Sequence, residues 1–130
     1  MKLPLLILHL EDDPNDIELI RETIQAQGLP CNIVAVSTRE DYIEKLENGS
    51  FDIILSDHSL PNFDGTSAML IAQDRCPEIP FIFVTGSMGE EAAIDTLAKG
   101  ATDYVLKHRL SRLLPAITRA AKESEVKKES

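Results

Sequence analysis

The chain has 130 residues, 43% of them hydrophobic, with seven prolines and six glycines. This is the composition of one globular domain; it excludes a disordered or collagen-like chain and leaves no room for two independent cores. Lys and Arg number 13 against 22 Asp and Glu, a formal charge of −9, so the surface as a whole repels phosphate backbones and anionic lipid, and direct nucleic-acid or membrane binding is not expected.

The chain opens on an apolar run over residues 3–10. Its most apolar part is far short of the roughly 20 residues that cross a bilayer, and no small-residue cleavage site follows Lys2, so the cytoplasm is the expected compartment. Asp13 then stands before Pro14, a capping carboxylate ahead of a proline at the first helical position, and Ile17, Ile20 and Ile24 form the apolar stripe of a helix closing at Gly28. A second strand over residues 32–36 leads into a capping box from Ser37 to Glu40 and a helix carrying Tyr42, Ile43 and Leu46, closed at Gly49. The third strand, over 51–56, precedes a helix with Ala68, Ile71 and Ala72 on its apolar face. The fourth, over 80–85, precedes a capping box from Ser87 to Glu90 and a helix with Ala93, Ile94 and Leu97, closed at Gly100. The fifth, over 103–106, precedes a helix carrying Leu110, Leu113, Leu114, Ile117 and Ala121.

Strand and helix thus alternate five times, and the strands are nearly continuous in apolar residues, as in a parallel sheet covered on both faces. Gly28, Gly49 and Gly100 are each expected in the left-handed conformation that ends a helix. Pro115 removes a backbone donor if the last helix begins at Ser111, so that helix begins later or bends there. The charged residues 122–130 are expected to fray, which makes residues 1–122 the domain and 123–130 a tail or linker stub. Cys31 and Cys76 show no metal-ligand spacing and are expected as free thiols.

In an open parallel sheet, functional groups collect beyond the carboxyl ends of the strands. Those ends carry Glu11, Asp12 and Asp13; Asp57, His58 and Ser59; Thr85, Gly86 and Ser87; and Lys107. Carboxylates brought together repel one another, so the cluster calls for a hard divalent cation, Mg²⁺ or Mn²⁺, with oxygen ligands. Asp13 is fully explained as a cap, which leaves the metal to Glu11 and Asp12 with Asp57. A hydroxyl from Thr85, an amide from Gly86 and an ammonium from Lys107 on the same rim suit the equatorial oxygens of a phosphoryl group, with Asp57 as nucleophile. Glu11 and Asp12 in isolation would be an acidic solvated loop, and Thr85 and Lys107 in isolation an ordinary strand end and a surface lysine. The set carries the functional reading. His9, His58 and His108 lack the spacing of a transition-metal site, and His9 is expected inside a buried strand.

Four segments in this order, Glu11-Asp12-Asp13-Pro14, Asp57 with Leu60-Pro61 and Asp64-Gly65, Val84-Thr85-Gly86, and residues 100–107 ending at Lys107, resemble the receiver domain of bacterial and archaeal two-component response regulators. The resemblance covers residues 3–121. It implies a flavodoxin-like fold, a five-stranded parallel sheet in order 2-1-3-4-5 flanked by five helices. It also implies that Asp57 accepts a phosphoryl group from a sensor histidine kinase or phosphotransfer protein. In that reading Asp12, Asp57 and the backbone carbonyl of Ser59 hold the metal, with Glu11 assisting through water. Thr85 and Lys107 grip the phosphoryl oxygens, Tyr104 changes rotamer on activation, and the face of helix 4, strand 5 and helix 5 passes the signal to a downstream protein or output domain. Many receivers have a proline after the lysine; here His108 stands there. Ser59 and Ser87 occupy positions the family uses to tune dephosphorylation.

The chain is then a stand-alone receiver or part of a longer protein, a monomer or weak dimer. Two other readings compete: a receiver-fold interaction module that works without phosphorylation, and a metal-dependent phosphohydrolase. The module is disfavoured because the acids, the acceptor and the lysine are all present. The phosphohydrolase lacks a second aspartate two residues after Asp57 and a cap segment over the site.

Overall fold

Five short apolar runs lie side by side as parallel strands: β1 (Leu5–Leu10), β2 (Cys31–Val36), β3 (Ile53–Ser56), β4 (Phe81–Thr85) and β5 (Asp103–Leu106). The computed structural model describes residues 1–86 and 90–129. The strand order is β2-β1-β3-β4-β5, with every neighbouring pair parallel, so the flavodoxin-like order is as expected. The order reverses between β1 and β3, and there the connections leave for opposite faces and open a crevice at the carboxyl ends. β1 begins at Leu5 instead of residue 3, because Pro4 has no N–H to give a ladder. The Leu5 amide takes up the pairing through the Pro30 carbonyl at 2.9 Å.

Helix α1 (Pro14–Ala26) is capped by Asp13, whose side chain accepts from the Asn15 amide at 2.9 Å, with Pro14 at its first position. Helix α2 (Arg39–Asn48) is capped by Thr38, which accepts from the Asp41 amide at 3.1 Å. That corrects the expected box from Ser37: of two adjacent hydroxyl residues, Thr38 stands in extended backbone directly before the first helical residue and takes the role. Gly49 also departs from expectation. Its backbone is extended, at φ −118° and ψ 170°, and the reason for glycine is space, since a Cβ would sit 2.7 Å from the Phe51 ring and 2.9 Å from the Lys45 carbonyl. Gly28 and Gly100 are left-handed as expected, at φ +79° and +118°.

Helix α3 (Gly65–Arg75) buries Ala68, Met69 and Ala72, with Ile71 half-buried. Helix α4 (Glu90–Ala98) turns inward only one residue of the stripe expected, Ala93. Ala93 and Thr96 are buried while Ile94 and Leu97 are 59% and 39% exposed. The Thr96 hydroxyl donates to the Ala93 carbonyl at 2.8 Å, and that internal bond lets a threonine occupy the inner stripe. The capping box from Ser87 to Glu90 lies outside the described residues.

After β5 a 3₁₀ helix (Lys107–Arg112) precedes α5 (Leu113–Glu129). Pro115 therefore falls in the first turn of α5, where no intrahelical acceptor waits for its missing N–H. Residues 122–129, expected to fray, continue the helix. Its end is tied down where Ser124 donates to the Glu78 carbonyl at 3.1 Å and Glu125 meets the N-terminal ammonium at 2.8 Å.

Two buried clusters flank the sheet. One joins Leu5, Ile7, Ile53, Leu55, Ile82, Val84 and Val105 to α1 and α5 through Ile20, Ile24, Leu113 and Ile117. The other joins Leu8, Leu10, Ile54, Phe81 and Phe83 to α2 and α3 through Tyr42, Leu46, Ala68 and Met69. Both thiols are free.

Candidate functional site

The crevice fills from β1 and β3. Past the end of each strand the ladder runs one bond further: the Glu11 amide donates to the Val36 carbonyl at 2.9 Å and the Asp57 amide to the Leu10 carbonyl at 3.0 Å. These bonds set Glu11 and Asp57 next to each other. Glu11 is 1% exposed and Asp57 8%, while Asp12 faces solvent. One oxygen from each of Glu11, Asp12 and Asp57 lies within 4.8 Å of the others.

Glu11 is occupied on both oxygens. Oε2 accepts from the Asp12 and Asp13 amides at 3.0 and 3.2 Å, and Oε1 accepts from Lys107 Nζ at 2.7 Å. Burial pushes the Glu11 carboxyl above its ordinary range, and the Lys107 ammonium pulls it back without cancelling the shift.

Lys107 arrives from the end of β5. Its Nζ donates to Glu11 at 2.7 Å, to Asp16 Oδ2 at 2.6 Å and to Asp57 Oδ2 at 3.4 Å. Burial works against the ammonium, but the hydrogen bonds to Asp16 and Glu11 outweigh it and raise its pKa, so the charge is held.

The loop behind Asp57 is held from below. Ser56 Oγ donates to the Asp57 carbonyl at 2.8 Å, and the Gly65 amide donates to the His58 carbonyl at 3.0 Å. Gly65 must be glycine because a Cβ there would stand 2.6 Å from the Asp57 carbonyl and 2.7 Å from the Phe83 ring. Asp64 before it caps α3, accepting from the Ser67 amide at 2.8 Å, which holds its carboxyl below the usual range. The Ser59 amide points at Asp57 Oδ1 from 3.5 Å.

Thr85, buried at the end of β4, sits opposite Leu106. Gly86 is exposed, and the Lys107 stem passes 4.0 Å from where its Cβ would be. Tyr104 is half-buried, opposite Phe83, against the aromatic cluster. The structure thus brings Glu11, Asp12, Asp57, Ser59, Gly86 and Lys107 to one rim with Thr85 beside them. Ser87 lies outside the described residues. His58 stands edge-on to Phe83 with ring centres 5.4 Å apart, and His108 is exposed.

Two features of the site were not read from the sequence. Asp16 belongs to the charge cluster: Pro14 opens the helix, so Asp16 falls at its third position, where a side chain reaches back over the rim. That register was available from Pro14 alone. His9 is fully buried, as expected of its strand, but neither ring nitrogen has a hydrogen-bond partner among the described residues. Burial first, then the Lys107 charge, lowers its pKa from 6.5 to about 4.

Fold and rim together define a doubly wound α/β domain with a carboxylate pocket gathered around one lysine at its switch point. The family model for the response regulator receiver domain matches residues 7–118. The chain is 29% identical over 98 residues to the DNA-binding transcriptional regulator NtrC of Proteus hauseri, covering 75% of this chain and 20% of that protein. It is 32% identical over 101 residues to the transcription factor SKN7 of Saccharomyces cerevisiae, covering 78% and 16% respectively. Among solved structures, a CheY-like receiver domain protein from Methanospirillum hungatei superposes with a TM-score of 0.80 at 29% identity, covering 97% of this chain and 98% of that one.

The chain belongs to the response regulator receiver domain family. It spans about a fifth or less of the curated relatives named here. Receiver domains are signalling domains that pair with histidine kinases and output domains, not enzymes that turn over a separate substrate. Among the described residues no helix is long and apolar enough to cross a membrane.

Proposed function

We propose that Asp57 accepts a phosphoryl group from the phosphohistidine of a sensor histidine kinase or phosphotransfer protein. A carboxylate oxygen of Asp57 bonds to phosphorus as the P–N bond breaks, and the electron pair leaves with the imidazole nitrogen. The product is an acyl phosphate, a mixed anhydride that water reopens, which suits a transient signal. The observation that carries this reading is the arrangement of three carboxylates and Lys107 Nζ at the switch point.

The donor set fits Mg²⁺ or Mn²⁺. Asp12 faces solvent and Asp57 has an oxygen directed at the cluster, so these two would hold the ion directly with the Ser59 carbonyl. Glu11, with both oxygens already engaged, would act through water. When bound, the ion offsets the repulsion between these carboxylates and an incoming phosphoryl group. Lys107, the Thr85 hydroxyl and the Gly86 and Ser59 amides then take the phosphoryl oxygens.

Thr85 and Tyr104, on neighbouring strands, follow the new charge at Asp57, and the surface of α4, β5 and α5 changes its affinity for a partner. The partner there is a downstream protein or an output domain. Exposed Ile94 and Leu97 give that surface apolar anchors. The folded unit acts in the cytoplasm as a monomer or weak dimer.

Intact mass after incubation with a small acyl phosphate and Mg²⁺ tests this reading. One phosphoryl increment is expected in the wild type, and none in Asp57→Asn or with the metal chelated. Equal labelling of Asp57→Asn would remove Asp57 from the role, and no labelling of the wild type would favour an interaction module that works without phosphorylation.

A further inference from the structure

The Lys107 ammonium has three protons to donate and three carboxylates around it, at unequal distances. Asp16 and Glu11 accept at 2.6 and 2.7 Å, whereas Asp57 lies at 3.4 Å. The ammonium therefore sits nearer α1 than the residue it must serve. Asp16 is not one of the three carboxylates grouped for a cation. A place in the first turn of α1 would explain an acidic residue through the helix dipole, but not a contact with a lysine 91 positions away on another element.

We propose that Asp16 is a positioning residue that holds Lys107 back from Asp57 in the resting domain and so sets how readily the domain is phosphorylated. The inference rests on Asp57 being the phosphoacceptor. Closing the Lys107 ammonium onto a phosphoryl oxygen at Asp57 weakens or breaks its bond to Asp16. The bond stabilises the resting site and is lost or lengthened on the way to the phosphorylated one. Its removal lowers the barrier to phosphorylation. Glu11 cannot do the same job independently, since its other oxygen is committed to the Asp12 and Asp13 amides and its place is fixed by the β1 ladder. Asp16 is reached from solvent, with its side chain 27% exposed, so Asp16→Asn changes charge and acceptor strength with little change in packing.

The test is a double-mutant cycle on the full chain with Asp16→Asn and Lys107→Met, using Asp16→Ser as a second replacement, read in two ways. In urea unfolding without metal, the two substitutions are expected to be non-additive; additivity would show that the pair is not formed and would overturn the proposal. In phosphorylation by a small acyl phosphate at saturating Mg²⁺, Asp16→Asn is expected to raise the rate constant about three- to tenfold, the net size of one ordinary hydrogen bond, since asparagine keeps an acceptor oxygen for Lys107.

In the Lys107→Met background the same substitution is expected to change nothing. An equal gain without Lys107 would mean that Asp16 merely repels the donor, and an unchanged or slower Asp16→Asn would make the ion pair structural only. Either result overturns the proposal while leaving Asp57 in place. A wild type that takes no phosphoryl group overturns both readings.

Discussion

The two faces of the sheet are made of different material. Against α1 and α5 the core is aliphatic, with Leu5, Ile7, Ile20, Ile24, Val84, Val105, Leu113 and Ile117. Against α2 and α3 it holds rings: Tyr42 and Phe63 pair with centres 5.7 Å apart, and Phe81 and Phe83 at 5.1 Å. Buried polar groups fare differently too. On the aromatic side the Tyr42 hydroxyl donates to the Ala68 carbonyl at 2.7 Å, whereas His9 in β1 has no partner at either nitrogen among the described residues. Each face supplies half of the rim. Phe83 lies under the loop that carries Asp57, touching the place of Gly65 and the ring of His58, while α1 on the other face brings Asp16 to Lys107. Asp57 is braced by shape and Lys107 by charge.

Removing the brace should have the largest effect. Phe83→Ala is expected to cost about 3–5 kcal/mol, as for other large buried aromatics, read as a lower urea midpoint at unchanged m. A loss below about 1 kcal/mol would mean that the rings do not support the loop. His9→Leu should act in the opposite direction. Replacing an orphaned imidazole with an apolar side chain is expected to stabilise the domain by about 1–3 kcal/mol at neutral pH, and a loss of stability would reveal a partner for the ring.

The pH dependence of His9 has a defined sign. Its folded pKa of about 4 lies below the unfolded 6.5, so between these values the unfolded chain binds a proton that the native state refuses. Stability therefore falls as pH drops through that window, by about 3 kcal/mol in all. Glu11, whose folded carboxyl is raised, works the other way, since the native state takes its proton more readily. Subtracting the His9→Leu curve, measured in chelator, isolates the His9 part. A difference that stays flat from pH 6.5 to 4 would contradict the burial account. The smallest effect belongs to α4: Ile94→Ser should change stability by no more than about 0.5 kcal/mol, because that side chain faces solvent. A larger loss would return Ile94 to the core.

The strands and the rim were legible because burial on both faces makes apolar runs that end abruptly, and what ends them is Glu11, Asp57, Thr85 and Lys107. Those ends converge once the strands are parallel. The errors arose where spacing leaves two local solutions. In α4, Ala93 forms a stripe with Ile94 and Leu97 as readily as with Thr96, and packing on the sheet decides for Thr96, whose hydroxyl is satisfied within the helix by the Ala93 carbonyl. Thr38 won the cap from Ser37 by one residue, a difference in backbone geometry that composition does not carry. Gly49 marks a close approach by Phe51 instead of a left-handed turn. Residues 122–129 looked like a solvated tail, yet Ser124 and Glu125 find partners at Glu78 and the N-terminus, far away in the chain. The pairing of Asp16 with Lys107 was missed for the same reason: the two meet only in the folded domain.

The central claim is that Asp57 carries the phosphoryl group. Its most direct test is to expose the protein to a small acyl phosphate and Mg²⁺, reduce with borohydride, and locate the product by peptide mass spectrometry. Borohydride converts an aspartyl phosphate to homoserine and leaves free carboxylates alone. The account predicts homoserine at position 57 and at no other aspartate. Homoserine at Asp12, Asp13 or Asp16, or an unmodified Asp57 in protein that has taken up phosphate, would contradict it.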